Sequence, residues 1–383
     1  MGRPLRIAID LRPATLASVS GVGLVTMGVI EALAEQGHVF VGITDRPVPP
    51  GRVAPTLPVL AEGAPGGRVR WEAFVLPRLL RRLDPAPDLY HATWNHGVPG
   101  ALPFPSVLTI HDLIPWRMPD AVPWPKPAIL HRALYRGSMR RSARRAKSIV
   151  AVSEATRREI EALLPDEAPR VTVVPNALPR WFRAAGPSSA AEARLRFADG
   201  RPYWLYLGGF DPRKGLDVLI RAMAEAFPDR ERAPELVLAG AMNDSGRSAH
   251  ALAADLRVRA RFPGYVPDAD LAFLLAGATL FVYPSRVEGF GIPLLLAMAS
   301  GIPCVAADAG AIPEVVGDAG MLFPPGDVSA LASLLGDAAR SPERLDAIRG
   351  RGPARARGFT AEAQAERMIR VYEAAAATRS GSA

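Results

Sequence analysis

Short apolar runs alternate with amphipathic helical stretches along this chain, and the alternation starts afresh past its midpoint. Residues 5–9, 38–43, 89–92, 107–110, 148–152 and 171–174 read as strands, with helices at 24–35, 130–147 and 154–164. After a stretch rich in small residues, 179–200, the pattern resumes with strands at 203–207, 235–239, 279–283 and 304–307, and helices beginning near residues 216, 248, 314 and 329. Strands that alternate with helices make parallel sheets covered on both faces, so two such series mean two doubly wound α/β domains. The divisions that follow are residues 1–180, residues 181–358, and a last segment, 359–383, holding a helix at 361–376. Residues 46–70, rich in Pro and Gly and without a period, read as a surface loop.

At 383 residues the chain is long enough for two cores, and 49% hydrophobic with 22% charged residues is a globular composition. The longest apolar run, 271–284, is too short to cross a bilayer, and no charged and apolar leader precedes the first strand. The single cysteine, Cys304, excludes an internal disulfide and reads as a small buried residue. A cytoplasmic protein is expected. Residues 1–180 hold 23 Lys and Arg against 15 Asp and Glu, whereas residues 181–383 hold 23 against 23, so the whole formal excess of +8 lies in the first half. Its densest cationic run is Arg136, Arg140, Arg141, Arg144, Arg145 and Lys147, whose helical positions wrap around several faces. Zinc-type spacing of His and Cys is missing from the sequence, as are a Walker loop and any nucleic-acid module. A pI of about 10.1 is therefore no argument for DNA or RNA.

The stretch 279–299 carries the strongest chemical signal. Its strand is stopped by Pro284 and Ser285, and a loop at a strand's carboxyl end is where open α/β sheets bind ligands. Glu288 is followed by Gly289, Phe290 and Gly291, and then Ile292 and Pro293 open a helix whose N-terminal end faces the loop. An acidic residue, bare backbone and a helix N-terminus suit a polyhydroxylated, phosphorylated ligand. In the same half, Gly208, Gly209, Arg213, Lys214 and Gly215 follow strand 203–207, and adjacent cations at a helix start suit a diphosphate.

In the first half, Ser20 to Gly23 read as a glycine turn. Together with Gly28 and Asp45, Gly21 and Gly23 invite comparison with a dinucleotide fingerprint, but the spacing is wrong. His91 and Asn95, in HATWN, and His111 and Asp112, in HDLIPW, follow strands that open on the same sheet edge. Trp94, Trp116 and Trp124 are available to stack on sugars or to pack.

At these residues the chain resembles the retaining glycosyltransferases of family 4, mannosyltransferase-like proteins of the two-domain GT-B fold. The resemblance runs through nearly the whole chain, from Ile7-Ala8-Ile9-Asp10 through Val152-Ser153-Glu154, Val174-Pro175-Asn176, Arg213-Lys214 and Glu288-Gly289-Phe290-Gly291 to Ala311-Ile312-Pro313-Glu314. It implies two domains facing across a cleft, with the last helix crossing back onto the first. It further implies transfer of a hexose from a GDP- or UDP-linked donor to a saccharide or lipid-linked acceptor, with no metal and no cofactor, because the departing diphosphate helps deprotonate the incoming hydroxyl. The implied catalytic residues are His111, Arg213, Lys214 and Glu288. On the donor side stand Gly21, Gly23, Gly209, Arg213, Lys214, Gly289, Phe290, Gly291, Ile292 and position 296, and on the acceptor side His91, Asn95 and Asp112. A peripheral place on the inner face of an anionic membrane goes with a lipid-linked acceptor. One departure stands out: the family carries a second Glu eight positions after the first, and here that position is Leu296. A non-catalytic sugar-nucleotide binder and a GT-B epimerase remain as alternatives.

Overall fold

A computed structural model describes residues 3–15, 21–63, 67–121, 127–186 and 188–377, so Ser20 and Trp124 lie outside the described residues. The chain forms two compact units, one of Met1–Pro119, Pro123–Arg180 and Phe359–Ala383, the other of Asp120–Val122 and Trp181–Gly358. The helices that position functional residues are α1 (Gly21–Ala34), α2 (Ala128–Arg145), α3 (Glu154–Leu163), α4 (Leu216–Ala226), α5 (Ile292–Ala299) and α6 (Ala361–Ala377).

The first unit holds a seven-stranded parallel sheet of β1 (Arg6–Asp10), β2 (Val39–Thr44), β3 (Val59–Ala61), β4 (Leu89–Ala92), β5 (Ser106–Ile110), β6 (Ser148–Ala151) and β7 (Val171–Val173), in the order β3-β2-β1-β4-β5-β6-β7. Its central strands are mostly apolar because both faces are covered. Ala8, Tyr90, Leu108 and Ile149 pack on one face, with Met139 and Ala143 of α2. Ile7, Ile9, Leu89 and Val107 pack on the other, with α1 and with Ala365, Met368, Val371 and Tyr372 of α6. Helix α3 starts where Ser153 caps it, its hydroxyl accepting from the Thr156 amide at 3.0 Å.

The second unit holds a six-stranded parallel sheet of β8 (Tyr203–Leu207), β9 (Glu235–Ala239), β10 (Ala260–Gly264), β11 (Ala278–Tyr283), β12 (Cys304–Ala307) and β13 (Gly320–Phe323), in the order β10-β9-β8-β11-β12-β13. Strand order reverses between β1 and β4 in the first sheet and between β8 and β11 in the second. A crevice opens at the strands' carboxyl ends at such a reversal. The loops after β1, β4, β8 and β11, with the loop after β5 beside β4, therefore carry the candidate chemistry.

Two expectations need correction. Residues 46–70 are not all loop, for they contain β3 and the helical turn Gly67–Arg70, which runs on through a π-helical turn, Trp71–Val75, into the helix Leu76–Arg81. A three-residue edge strand is too short to show a period. Gly21 and Gly23 do not form a turn before the helix; they are its first residues. A Cβ on Gly23 would sit 2.9 Å from the Pro13 carbonyl oxygen, so glycine lets α1 approach the turn after β1.

Candidate active site

In the second unit the loops after β8 and β11 are held against each other by backbone. The Arg286 amide donates to the Arg213 carbonyl at 2.7 Å. Gly215 has φ +67°, and a Cβ there would meet the Pro284 carbonyl oxygen at 2.2 Å, so a side chain at 215 would force the two loops apart. The loop after β12 supports them from below, with the Ala311 amide donating to the Glu288 carbonyl at 3.1 Å. Three sequence-expected residues thereby converge. Lys214 Nζ donates to Glu288 Oε1 at 2.5 Å, and Arg213 Nη1 lies 3.4 Å from Glu288 Oε2 while its Nε pairs with Asp211 at 2.9 Å.

Two tyrosines complete the cluster, and neither was singled out from the sequence. Tyr283, the last residue of β11, donates its hydroxyl to Glu288 Oε1 at 2.8 Å, and Lys214 Nζ approaches the same hydroxyl at 3.4 Å. Tyr206, stacked beside it at 6.4 Å between ring centroids, donates to the Gly209 carbonyl at 2.8 Å and so fixes the glycine turn. Burial alone would raise the Glu288 pKa, but the charges of Lys214 and Arg213 outweigh it and hold the carboxyl down to about 2. Burial lowers the Lys214 pKa, with Arg213 adding to it and Glu288 opposing. The result is a desolvated cation beside an ionised acceptor at a sheet's switch point. Such a pair offers a cation to a phosphate and an anion to sugar hydroxyls. Gly289, Phe290 and Gly291 follow in the loop, Ile292 opens α5, and Leu296 is buried within that helix.

In the first unit, His111 stands one residue past β5. Its Nε2 lies 2.8 Å from the Thr93 carbonyl oxygen, which can only accept, so Nε2 bears the proton and Nδ1 is left as an acceptor. Burial pushes its pKa down to about 4, the bond to Thr93 opposing. Neutral His111 can therefore accept from a sugar hydroxyl. Asn95 braces the two loops with both ends of its amide: its Oδ1 accepts from the His111 amide at 2.7 Å, and its Nδ2 donates to the Asp112 carbonyl and the Tyr135 hydroxyl, each at 3.1 Å. The Asp112 carboxylate accepts from the Ile114 amide at 3.1 Å, closing the turn after His111. Trp94 stacks on His96, and Trp116 packs beneath Arg136.

His91 departs from the expected acceptor-side role. It lies inside β4, paired in register with Ile9, with Nδ1 2.7 Å from the Tyr372 hydroxyl and Nε2 2.8 Å from the Thr109 hydroxyl. Both nitrogens are engaged within the unit, and the ring ties α6 to the sheet. Burial, then the charge of His111, pushes its pKa down to about 3.

These two imidazoles make an acid-stability prediction. An unfolded chain protonates them near 6.5, the folded one only near about 4 and about 3, so the unfolded state binds more protons in between. Their stability contribution is complete above pH 6.5 and is lost as pH falls toward those values, at about 1.4 kcal/mol per pH unit for each ring. Urea midpoints of the first unit should fall from pH 6.5 to 4, and less steeply in His91→Asn. An equal slope in that variant would mean that the ring is protonated in the fold.

A further buried charge network surrounds the switch point of this sheet. Arg12 grips Asp10 through Nε at 3.0 Å and Nη2 at 2.6 Å, and reaches Glu72 at 2.7 Å. His96 Nδ1 lies 2.6 Å from Glu72, and Arg68 lies 3.1 Å from Nε2. Because Arg68 can only donate, Nε2 accepts and Nδ1 donates to Glu72. Arg12 and Glu72 are 60 residues apart, and no local pattern marks them as partners. Among the described residues, no three His, Cys, Asp or Glu side chains converge so as to hold a metal ion.

Residues 19–180 match the model of glycosyltransferase family 4, and residues 188–355 that of the glycosyl transferases group 1. O-antigen chain mannosyltransferase B of Escherichia coli is 30% identical over 271 residues, 70% of each chain. The chain belongs to glycosyltransferase family 4. The phosphatidyl-myo-inositol mannosyltransferase of Mycobacterium leprae is 31% identical over 239 residues, 60% of each chain. Sucrose-phosphate synthase from Thermosynechococcus elongatus aligns with a TM-score of 0.77 at 21% identity, covering 98% of this chain and 100% of that one. At that identity the likeness speaks for the fold, which is GT-B in both. This member of the family is a glycosyltransferase.

Proposed function

We propose that this glycosyltransferase moves a hexose, mannose or a close relative, from a nucleoside diphosphate donor to a saccharide or lipid-linked saccharide, with retention, in cell-surface polysaccharide or glycolipid synthesis. The observation that carries the donor side is the buried Lys214–Glu288 pair, with Arg213 at its edge, at the switch point of the second sheet. A diphosphate gathers negative charge as it leaves, and a desolvated cation already in place stabilises that charge without reorganisation. Within the second unit Glu288 then holds sugar hydroxyls, and within the first His111, neutral at physiological pH, offers a ring nitrogen as a hydroxyl acceptor. The two mannosyltransferase relatives favour mannose, and the inositol lipid in the name of one favours an acceptor carried by a lipid, with the enzyme on the inner face of the membrane.

The test is a thermal-shift panel of nucleotide sugars followed by turnover with acceptor. A GDP- or UDP-linked hexose should raise the melting temperature, and free nucleotide should appear only once acceptor is added, with the product's anomeric configuration that of the donor. Binding without release in any acceptor mixture would favour a sugar-nucleotide binder. Inversion at C2 of the free donor would favour an epimerase.

A further inference from the structure

His111 forms part of the wall of a small cavity inside the first unit. The cavity leaves about 20 Å³ to the centre of a water molecule, and holding one water takes about 10 to 15 Å³. Its walls include His91, Thr93, Thr109, Asn176 and Gln364, set among aliphatic side chains. Asn176 follows β7, shortly before the chain leaves this unit at Arg180, and Gln364 lies on α6, shortly after the chain returns at Phe359. The Leu178 amide donates to the Phe359 carbonyl at 2.8 Å, so the departing and returning segments run together here.

Two acceptors in these walls are left over. The side-chain oxygens of Asn176 and Gln364 are buried, and neither has a hydrogen-bond partner among the described residues. The two residues are only 6% and 5% exposed, so bulk solvent does not serve them. A buried amide oxygen without a donor is costly, and two in one cavity ask for two protons.

Proton counting from the opposite wall arrives at the same place. The Tyr372 hydroxyl lies 2.7 Å from His91 Nδ1 and makes no other hydrogen bond among the described residues. Tyr372 is fully buried and stands outside the cavity wall, so its proton goes to Nδ1. Burial keeps the His91 ring neutral, and its one proton is therefore on Nε2, which donates to the Thr109 hydroxyl oxygen at 2.8 Å. The proton of Thr109 itself is then free, and Thr109 lines the cavity. One water can accept that proton and give its own two to Asn176 and Gln364. Three bonds are the usual number for a buried water, and cavities with polar walls hold water where apolar ones stay dry.

We propose that this cavity is a site for one structural water, which closes a chain of hydrogen bonds running from Tyr372 through His91 and Thr109 to the water and on to Asn176 and Gln364. Every donor in that chain meets an acceptor. The water thereby fastens α6 and the segment after β7 to the sheet, against the wall that carries His111. His91 gains a role in place of the acceptor-side one, as the link that passes the Tyr372 bond on to Thr109. The proposal goes beyond the donor and acceptor readings and depends on neither.

A crystal structure of the full chain, at a resolution that shows ordered water, tests it. One density peak should stand about 2.7 to 3.2 Å from Asn176 Oδ1, Gln364 Oε1 and Thr109 Oγ1. A cavity without density, or carboxamides turned to bond each other, would overturn the proposal. Nitrogen-15 spectra of the histidines read the proton order in solution: His91 should be protonated at Nε2 and bare at Nδ1, and the reverse tautomer would break the chain at Thr109. Gln364→Met keeps the length and helix preference of the side chain and removes its acceptor. With a water in place the variant strands one of its protons, and the melting temperature should fall by roughly 2 to 4 °C. A dry cavity predicts the opposite, because the variant then removes an unsatisfied oxygen; an unchanged or higher melting temperature counts against the water. The His111 ring shares the wall, so its nitrogen-15 shifts should move in Gln364→Met, and shifts that stay in place would refute the link to His111.

Discussion

Lys214→Ala is expected to lower kcat by about 1.5 to three powers of ten, roughly 2 to 4 kcal/mol of barrier, with a smaller effect on donor binding. The cation's work grows as the diphosphate leaves, so its loss is felt in the transition state more than in the ground state. The structure adds a second consequence. Lys214 and Glu288 are both buried, and removing one partner leaves a desolvated carboxylate with the more distant Arg213 as its nearest remaining cation, beside the Tyr283 hydroxyl. Breaking such a pair costs about 3 to 5 kcal/mol in folding stability at neutral pH. Glu288 is held to about 2 in the fold against 4.5 unperturbed, so its stabilisation is present above pH 4.5 and lost as pH falls toward 2. In Lys214→Ala that acid-sensitive window should shrink, because the Glu288 pKa rises. A double variant, Lys214→Met with Glu288→Gln, should regain most of the stability and none of the turnover. Saturation kinetics and urea midpoints measure both effects. A raised KM with unchanged kcat would remove Lys214 from the chemistry, and an unchanged midpoint would mean that the pair is solvated.

What could be read from the sequence follows from where each residue draws its partners. Central strands such as β5, β11 and β12 are covered on both faces and show as mostly apolar runs, so their positions were legible. The edge strand β10 carries Arg261 and Pro263, β13 is four residues beginning with glycine, and β3 is three residues long, so none has a pattern to read. Arg213, Lys214 and Glu288 were legible because each sits in a loop directly after a strand, and parallel topology brings adjacent loops of this kind to one edge. His91 and His111 look alike in sequence, each at the end of an apolar run. A single step of register separates them, since His91 is still paired within β4 and His111 is one residue past β5. Glu72 was not legible, because its meeting with Arg12 and His96 depends on a helical stretch whose π turn carries it to the switch point. Tyr283 was read as a strand residue, which it is; that its hydroxyl reaches Glu288 depends on the path of the loop between them.

Leu296→Glu is expected to have opposite effects with and without nucleotide. In the family a second Glu stands here, eight positions after the first, and accepts hydrogen bonds from the ribose hydroxyls; leucine can accept none. The side chain is buried in α5, so a carboxylate in its place gives up solvation with no cation assigned to it. A stability loss of about 3 kcal/mol, partly relieved by a raised carboxyl pKa, should follow. Once nucleoside diphosphate is bound, the same carboxylate gains ribose hydroxyls as donors, about 1.5 to 3 kcal/mol for each charge-assisted bond, or one to two powers of ten in affinity. Ligand that binds only the folded state stabilises in proportion to its affinity, so nucleotide should raise the melting temperature more in Leu296→Glu than in the wild type. Transfer should persist in both, since Arg213, Lys214 and Glu288 are untouched. If the variant is destabilised and nucleotide rescues it no better than it does the wild type, the ribose lies elsewhere. The likeness of this loop to the family would then stop at Glu288, and the donor's nucleoside would be read by groups outside α5.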